Sequence, residues 1–165
     1  MTLSAQFRSY QIISSFIVFS LLIGCAGSKK AAIRERKVDT VIKTARSYSG
    51  VPYKWGGTSR RGMDCSGLLY KSFASINMEI PRTSAAQSKM GKNVGLSSVA
   101  EGDLVFFAAG KRKRKITHVG LVTNVRNAND VRFIHASSSK GVVEVNLLSR
   151  YYKKIFVKAV RPEIR

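Results

Sequence analysis

At 165 residues the chain is long enough for one compact domain with a substantial core and too short for two of ordinary size. With 44% hydrophobic and 9% aromatic residues, wholesale disorder is excluded. Its 29 Lys and Arg against 9 Asp and Glu give a formal charge of +20, which suits a polyanionic partner: nucleic acid, anionic lipid headgroups or a carboxylate-rich wall polymer.

The N-terminal residues narrow that choice. Arg8 is the sole charge before Lys29, and Ile12 to Ile23 is apolar apart from Ser14, Ser15 and Ser20. This stretch is short for a membrane-spanning helix, which needs about 20 apolar residues, and matches the apolar region of an export signal. It ends in Leu22-Ile23-Gly24-Cys25, which resembles a bacterial lipoprotein signal. That resemblance implies a signal peptide over 1–24 and a lipid, including palmitate, carried by Cys25 as the new N-terminus. An exported, lipid-bound protein does not meet nucleic acid, so the positive charge is expected to face wall carboxylates and anionic lipid. Residues 25–37, with Ser28-Lys29-Lys30 and Arg34-Glu35-Arg36-Lys37, read as a basic tether reaching at most about 40 Å when extended.

The domain is expected over 38–165. Val38, Val41, Ile42, Ala45 and Tyr48 recur at helical spacing and predict an amphipathic helix stopped near Gly50 and Pro52. Gly56, Gly57 and Gly62 mark an irregular loop. A second helix is predicted from Cys65 to about Ile76, and a short third one framed by Ser84 and Gln87 as a capping-box pair and stopped by Gly91. After Gly102 the texture changes to strands: Leu104–Ala108, His118–Val125, Val131–Ala136, Val142–Val145 and Ile155–Val160. Helices first and strands second, with connections too short for crossover helices, predict α+β with a mainly antiparallel sheet. The run Lys111-Arg112-Lys113-Arg114-Lys115 falls between two strands and reads as a charged loop.

Chemistry concentrates on few residues. If Cys25 is acylated, Cys65 is an unpaired thiol in an oxidising compartment. It sits in Asp64-Cys65-Ser66-Gly67, where a glycine-rich loop becomes a helix. Asp64 is a candidate N-cap, and a thiol in the first turn feels the positive end of the helix dipole, which favours thiolate. The chain has two histidines, His118 and His135, both in predicted strands. If those strands are hairpin neighbours the rings share a face. One imidazole then serves as base to Cys65, and the other fixes its orientation and tautomer. The alternative is that both histidines are structural, and two His plus one Cys lack the spacing of a zinc site.

Pro52-Tyr53-Lys54-Trp55-Gly56-Gly57, Asp64-Cys65-Ser66-Gly67-Leu68, Ile80-Pro81-Arg82-Thr83-Ser84 with Gln87, Gly102-Asp103-Leu104-Val105-Phe106-Phe107, His118-Val119-Gly120 and Phe133-Ile134-His135-Ala136-Ser137 together resemble the NlpC family of peptidoglycan peptidases. The resemblance runs from about Val38 to Arg161. It implies a papain-like α+β fold with N-terminal helices on five or six strands. It also implies a triad of Cys65 as nucleophile, His118 as general base and His135 as orienting member, working without metal or cofactor. Tyr53 matches a tyrosine of the family's site that helps hold the oxyanion; Asp64 and Ser66 match positions that contact a substrate amine. Trp55, Gly56 and Gly57 are expected to shape the loop, and Arg60 and Arg61 to meet wall carboxylates. Glu101 departs from a usual Pro and Ile80 from a frequent Leu.

The expected activity is thiol-dependent hydrolysis of amide bonds in peptidoglycan stem peptides or cross-links, by a monomer anchored in the envelope. Ala26, in place of an Asp that marks inner-membrane retention, favours the outer membrane facing the periplasm. Two other classes fit the same residues: a catalytically silent wall-binding module, and a thiol amidase or acyltransferase on a similar fold.

Overall fold

The structure, a computed structural model, describes residues 29–109 and 115–164. The export signal over 1–24, Cys25 and Lys111 to Arg114 of the basic run lie outside the described residues. The chain divides into two units, Met1–Arg36 and Lys37–Arg165. In the first, residues 29–36 are helical. The reason is composition: Lys, Ala, Arg and Glu are strong helix formers, and no Gly or Pro interrupts them. A helical residue advances about 1.5 Å against about 3.5 Å extended, so these residues span less than half of their extended length. Among the described residues no helix is long and apolar enough to cross a membrane.

In the second unit, residues 37–46 form helix α1. Its spacing buries Val38, Val41, Ile42 and Ala45, each at most 4% exposed. Helix α2, Cys65–Ala74, buries Leu68, Leu69 and Phe73 completely. It ends two residues before Ile76, because Asn77 turns into the left-handed region at φ 57° and the N–H groups of Ile76 and Met78 return to the Phe73 carbonyl. Helix α3 is Ser84–Gln87, but the expected capping box does not form. Thr83 is the N-cap, its hydroxyl accepting from the Ala86 N–H at 3.3 Å. Gln87 is wholly buried instead, donating to the carbonyls of Pro81 at 2.8 Å and Ser66 at 3.1 Å.

The strands are β1 (Thr58–Ser59), β2 (Gly62–Met63), β3 (Lys92–Val94), β4 (Leu104–Phe107), β5 (His118–Asn127), β6 (Asp130–Ser137), β7 (Gly141–Asn146) and β8 (Phe156–Arg161). The first two make a small hairpin; the others form a six-stranded sheet in the order β3-β8-β4-β5-β6-β7, each neighbour antiparallel. The fold is α+β, as expected. The additions are β1, β2, β3, a 3-10 turn at Leu96–Ser98 and helix α4, Arg150–Ile155, between β7 and β8.

Both faces of the sheet are covered, which explains the unbroken apolar run of β4. Leu104 and Phe106 point into a core shared with α1 and α2, while Val105 and Phe107 point into a second cluster with Phe133, Leu147 and Tyr152. An ion pair ties the sheet: Arg161 Nε and Nη2 each donate at 2.8 Å to Asp103, which is wholly buried while the Arg161 side chain is partly exposed.

Candidate active site

The site begins at the first turn of α2. Asp64 caps it, Oδ1 accepting from the Gly67 N–H at 2.6 Å and the Ser66 hydroxyl at 3.0 Å, Oδ2 from the Gly56 N–H at 2.9 Å. Arg82 forks onto the same carboxylate, Nη1 to Oδ1 at 2.9 Å and Nη2 to Oδ2 at 2.8 Å, and also donates to Ser66 Oγ at 2.9 Å and the Gly57 carbonyl at 3.2 Å. Burial works to raise the Asp64 pKa, but the hydrogen bonds from Arg82, Gly67 and Ser66 outweigh it and hold the carboxyl below its ordinary value. Asp64 is thus the N-cap expected, and with Ser66 it fixes the loop to the helix. Gly67 permits that closeness, since a Cβ there would run into the Gly57 carbonyl oxygen.

Cys65 follows, a free thiol that is 7% exposed. The backbone N–H groups of Val119, Ser66 and Cys65 itself work to favour its thiolate. The influence of Val119 places the thiol near the first residues of β5, the strand that His118 opens. The dipole argument alone expects an eased thiol; in the structure burial is the largest influence and pushes the Cys65 thiol above its ordinary value, despite those three donors. Cys65 therefore rests as a thiol and needs a base.

His118 and His135 lie on adjacent antiparallel strands. The register pairs Leu121 with Ile134, so His135 falls opposite Gly120 and His118 two residues further along the same face. Gly120 has no side chain to come between them. His118 Nε2 and His135 Nδ1 are 2.8 Å apart, with the rings perpendicular at 88°. His118 Nδ1 is thus the ring nitrogen left for the thiol. Burial lowers the His118 pKa to about 4, Asp64 opposing, and lowers that of His135 to about 3, helped by the charge on His118. Both rings are neutral near pH 7, the form a general base requires.

Tyr53 is brought to the same place by its bridge to Met63 and the hydrogen bonds Lys54 N–H to Met63 O and Met63 N–H to Pro52 O, both 3.1 Å. Its pKa is raised by burial and by the nearby Cys65 and Asp64, so it remains a donor. Tyr53, His118 and His135 line one cleft of about 680 Å³, whose far wall is Ser137 to Lys140 and Tyr151 and Tyr152. A cavity of about 880 Å³ lined by Leu96, Val99, Val125 and Val131 is larger, but it holds neither histidine, whereas the smaller cleft is lined by both.

Arg60 and Arg61 do not line this cleft. Arg60 stacks over the Tyr48 ring, 5.1 Å from its centre, and donates to the Ser47 carbonyl at 2.9 Å, while Arg61 is exposed. Trp55 is 86% exposed on the same loop. Sequence reasoning missed two participants. Arg82 is detectable as the one charged residue of Ile80-Pro81-Arg82-Thr83-Ser84. Tyr152, whose hydroxyl is 2.9 Å from His135 Nε2, sits in Tyr151-Tyr152-Lys153-Lys154 with no local signal to set it apart. Among the described residues no group of three or more His, Cys, Asp or Glu is placed to hold a metal ion.

The chain is 34% identical over 148 residues to the Escherichia coli K12 protein named "Probable endopeptidase NlpC", covering 86% of this chain and 92% of that one. It is 36% identical over 130 residues to the E. coli "Murein DD-endopeptidase MepS/Murein LD-carboxypeptidase", covering 76% of this chain and 65% of that one. Among solved structures, an NlpC/P60 family protein from Bacillus cereus superposes with a TM-score of 0.67 at 32% identity, over 75% of this chain and 39% of the other. The peptidoglycan hydrolase RipB from Mycobacterium tuberculosis gives 0.65 at 29%, over 79% and 66%. The model of the NlpC/P60 family matches residues 50–161, and the chain belongs to that family.

Proposed function

We propose that this protein hydrolyses an amide bond in peptidoglycan stem peptides or their cross-links, with Cys65 as nucleophile, His118 as general base and His135 as orienting residue. Its family makes it a cell-wall hydrolase, a cysteine endopeptidase of peptidoglycan. The observation that carries the mechanism is the 2.8 Å contact of His118 Nε2 with His135 Nδ1, at the start of the strand whose Val119 backbone acts on the Cys65 thiol.

His118 Nδ1 takes the proton from Cys65 Sγ as sulfur attacks the amide carbonyl. Charge moving onto the carbonyl oxygen is met by the Tyr53 hydroxyl and the Cys65 N–H at the start of α2. Collapse breaks the C–N bond, and the His118 imidazolium passes its proton to the leaving amine. Water, deprotonated by His118, then hydrolyses the thioester to release the carboxylate and restore the thiol. Arg61 is assigned to the wall's carboxylates, Arg60 more to holding the β1–β2 loop on Tyr48. We place the chain in the envelope through a lipid on Cys25, on the outer membrane facing the periplasm.

The test is digestion of purified muropeptides by wild type and by Cys65→Ala, read by mass spectrometry. Loss of new amine and carboxylate ends in the variant is expected, and the product masses identify the bond. Equal digestion by Cys65→Ala would sink the thiol mechanism. Binding to sacculi without products in the wild type would turn the reading to a silent wall-binding module.

A further inference from the structure

We propose that Tyr152 is a positioning residue for the reaction, its hydroxyl setting the proton arrangement of the His118–His135 pair through His135 Nε2. The inference rests on the thiol mechanism above and extends it to a helix that contributes nothing to the family's motif blocks.

The three groups form an unbroken chain: His118 Nε2 to His135 Nδ1 at 2.8 Å, then His135 Nε2 to Tyr152 Oη at 2.9 Å. Tyr152 is carried by α4 and held by its ring, edge-on to Phe133 at 4.8 Å and tilted against Phe107 at 5.5 Å, between centres. Its hydroxyl therefore has a defined address. The ring is half-buried, and burial keeps the phenol protonated.

A neutral imidazole has one N–H, so the chain has two proton arrangements. In one, Tyr152 donates to His135 Nε2, His135 Nδ1–H donates to His118 Nε2, and the His118 proton sits on Nδ1. That arrangement cannot accept from Cys65. In the other, His118 Nε2–H donates to His135 Nδ1, His135 Nε2–H donates to Tyr152 Oη, and His118 Nδ1 is free to take the thiol proton. The phenolic proton then points into the cleft that Tyr152 lines. Once His118 holds two protons, only the second arrangement survives, and His135 Nε2–H must have an acceptor. The Tyr152 oxygen is that acceptor, so its contribution grows as charge develops on His118. This predicts an effect on kcat and little on KM.

The decisive experiment uses the full chain with Tyr152→Phe, which retains the packed ring and removes the acceptor. We expect kcat on muropeptides to fall about tenfold, the cost of one hydrogen bond to a group sharing positive charge, with KM within about twofold. The second reading is the ring-nitrogen NMR spectrum of ¹⁵N-histidine protein, in which two histidines are simple to assign. It is recorded on a Cys65→Ser background, so it does not depend on turnover. With Tyr152 present, His135 is expected as the Nε2–H tautomer, and with Phe the Nδ1–H form should gain population. Unchanged kcat, or a fall in kcat with no change of tautomer, would overturn the proposal. So would an Nδ1–H tautomer of His135 in the protein that retains Tyr152, whatever the Phe variant does. Digestion by Cys65→Ala fails the underlying mechanism separately and leaves the tautomer result standing.

Discussion

His135 Nδ1 stands 2.8 Å from His118 Nε2, and in the proposed mechanism that contact leaves His118 Nδ1 for the thiol. An imidazole with both nitrogens uncommitted divides its time between tautomers, and one of them cannot accept a proton on the required side. The two side chains are set by the β5–β6 register, with Gly120 leaving the space between them open.

The first prediction follows from the atom that makes the contact. In His135→Asn the amide Oδ1 stands about where Nδ1 was and still accepts from His118 Nε2–H. In His135→Ala nothing does. Hydrolysis by the Ala variant is expected to fall about a hundredfold or more, and by the Asn variant about tenfold. Steady-state rates on one purified muropeptide, with folding checked by circular dichroism, measure the difference. Equal rates for the two variants would show that His135 does not orient the base.

Burial of the same pair makes stability depend on pH. Both folded-state values lie below the ordinary 6.5, at about 4 for His118 and about 3 for His135. Below pH 6.5 the unfolded chain binds protons that the folded one refuses, so stability is full above that value and falls as pH drops toward 4 and then 3. The limiting slope is about 1.4 kcal/mol per pH unit for each histidine. Asp64, whose pKa is depressed, stabilises above its unfolded value and loses that contribution only as pH falls through its folded value, so it does not produce a loss between pH 6.5 and 5. Urea unfolding at pH 7, 6 and 5 should show the decline, and His135→Asn should reduce its slope. A flat profile over that range would contradict the burial of the pair.

Arg82 yields the third prediction. Its fork spans both oxygens of Asp64 and reaches Ser66 and Gly57, with 35% of its side chain exposed against 11% for Asp64. Arg82→Lys retains the charge and loses the fork. Solvent on the outer side of the pair moderates the cost to about 2 kcal/mol, with the melting temperature down by several degrees. Because the same contacts hold the residues on either side of Cys65, alkylation of the thiol by iodoacetamide should change rate as well. A variant as stable as wild type would mean the ion pair is only a surface feature.

What was legible in the chain divides along a physical line. The five long strands, α1 and α2 could be read because burial imposes a period on the sequence, and the nucleophile and the two histidines because so few residues carry that chemistry. The three-residue strand β3 and the six-residue helix α4 are too short to show a period. They exist because Val94 and Tyr152 find partners already in place on the sheet. Gln87 was misread for a related reason: its spacing from Ser84 fits a capping box, but burial beneath Pro81 and Ser66 competes with the cap and wins. Arg60 was assigned by charge alone, and charge does not reveal that Tyr48 lies beneath it. Local pattern reaches as far as periodicity and rare residue types; Tyr152 is a long-range contact between two ordinary-looking segments.

Gly120 supplies the last prediction, since it separates packing from chemistry. A Cβ at this position would run into the Phe133 ring, with Cε2 at 2.9 Å and the Ile134 carbonyl oxygen at 3.0 Å. Phe133 is wholly buried and cannot swing aside freely, being packed on Phe107 and Tyr152. It also stacks on His135, ring centres 5.0 Å apart and planes 19° from parallel. Gly120→Ala is therefore expected to cost about 1–3 kcal/mol through overpacking. The activity loss should exceed what that instability explains, because the ring that must move is the one that backs His135. Gly95→Ala is the control: a Cβ there meets nothing within 4 Å, and its φ of −68° suits alanine, so stability and rate should remain near wild type. Melting temperatures and muropeptide rates measured well below the transition decide the matter. If Gly120→Ala loses stability and retains its full rate, the Phe133–His135 stack does not transmit to the catalytic pair.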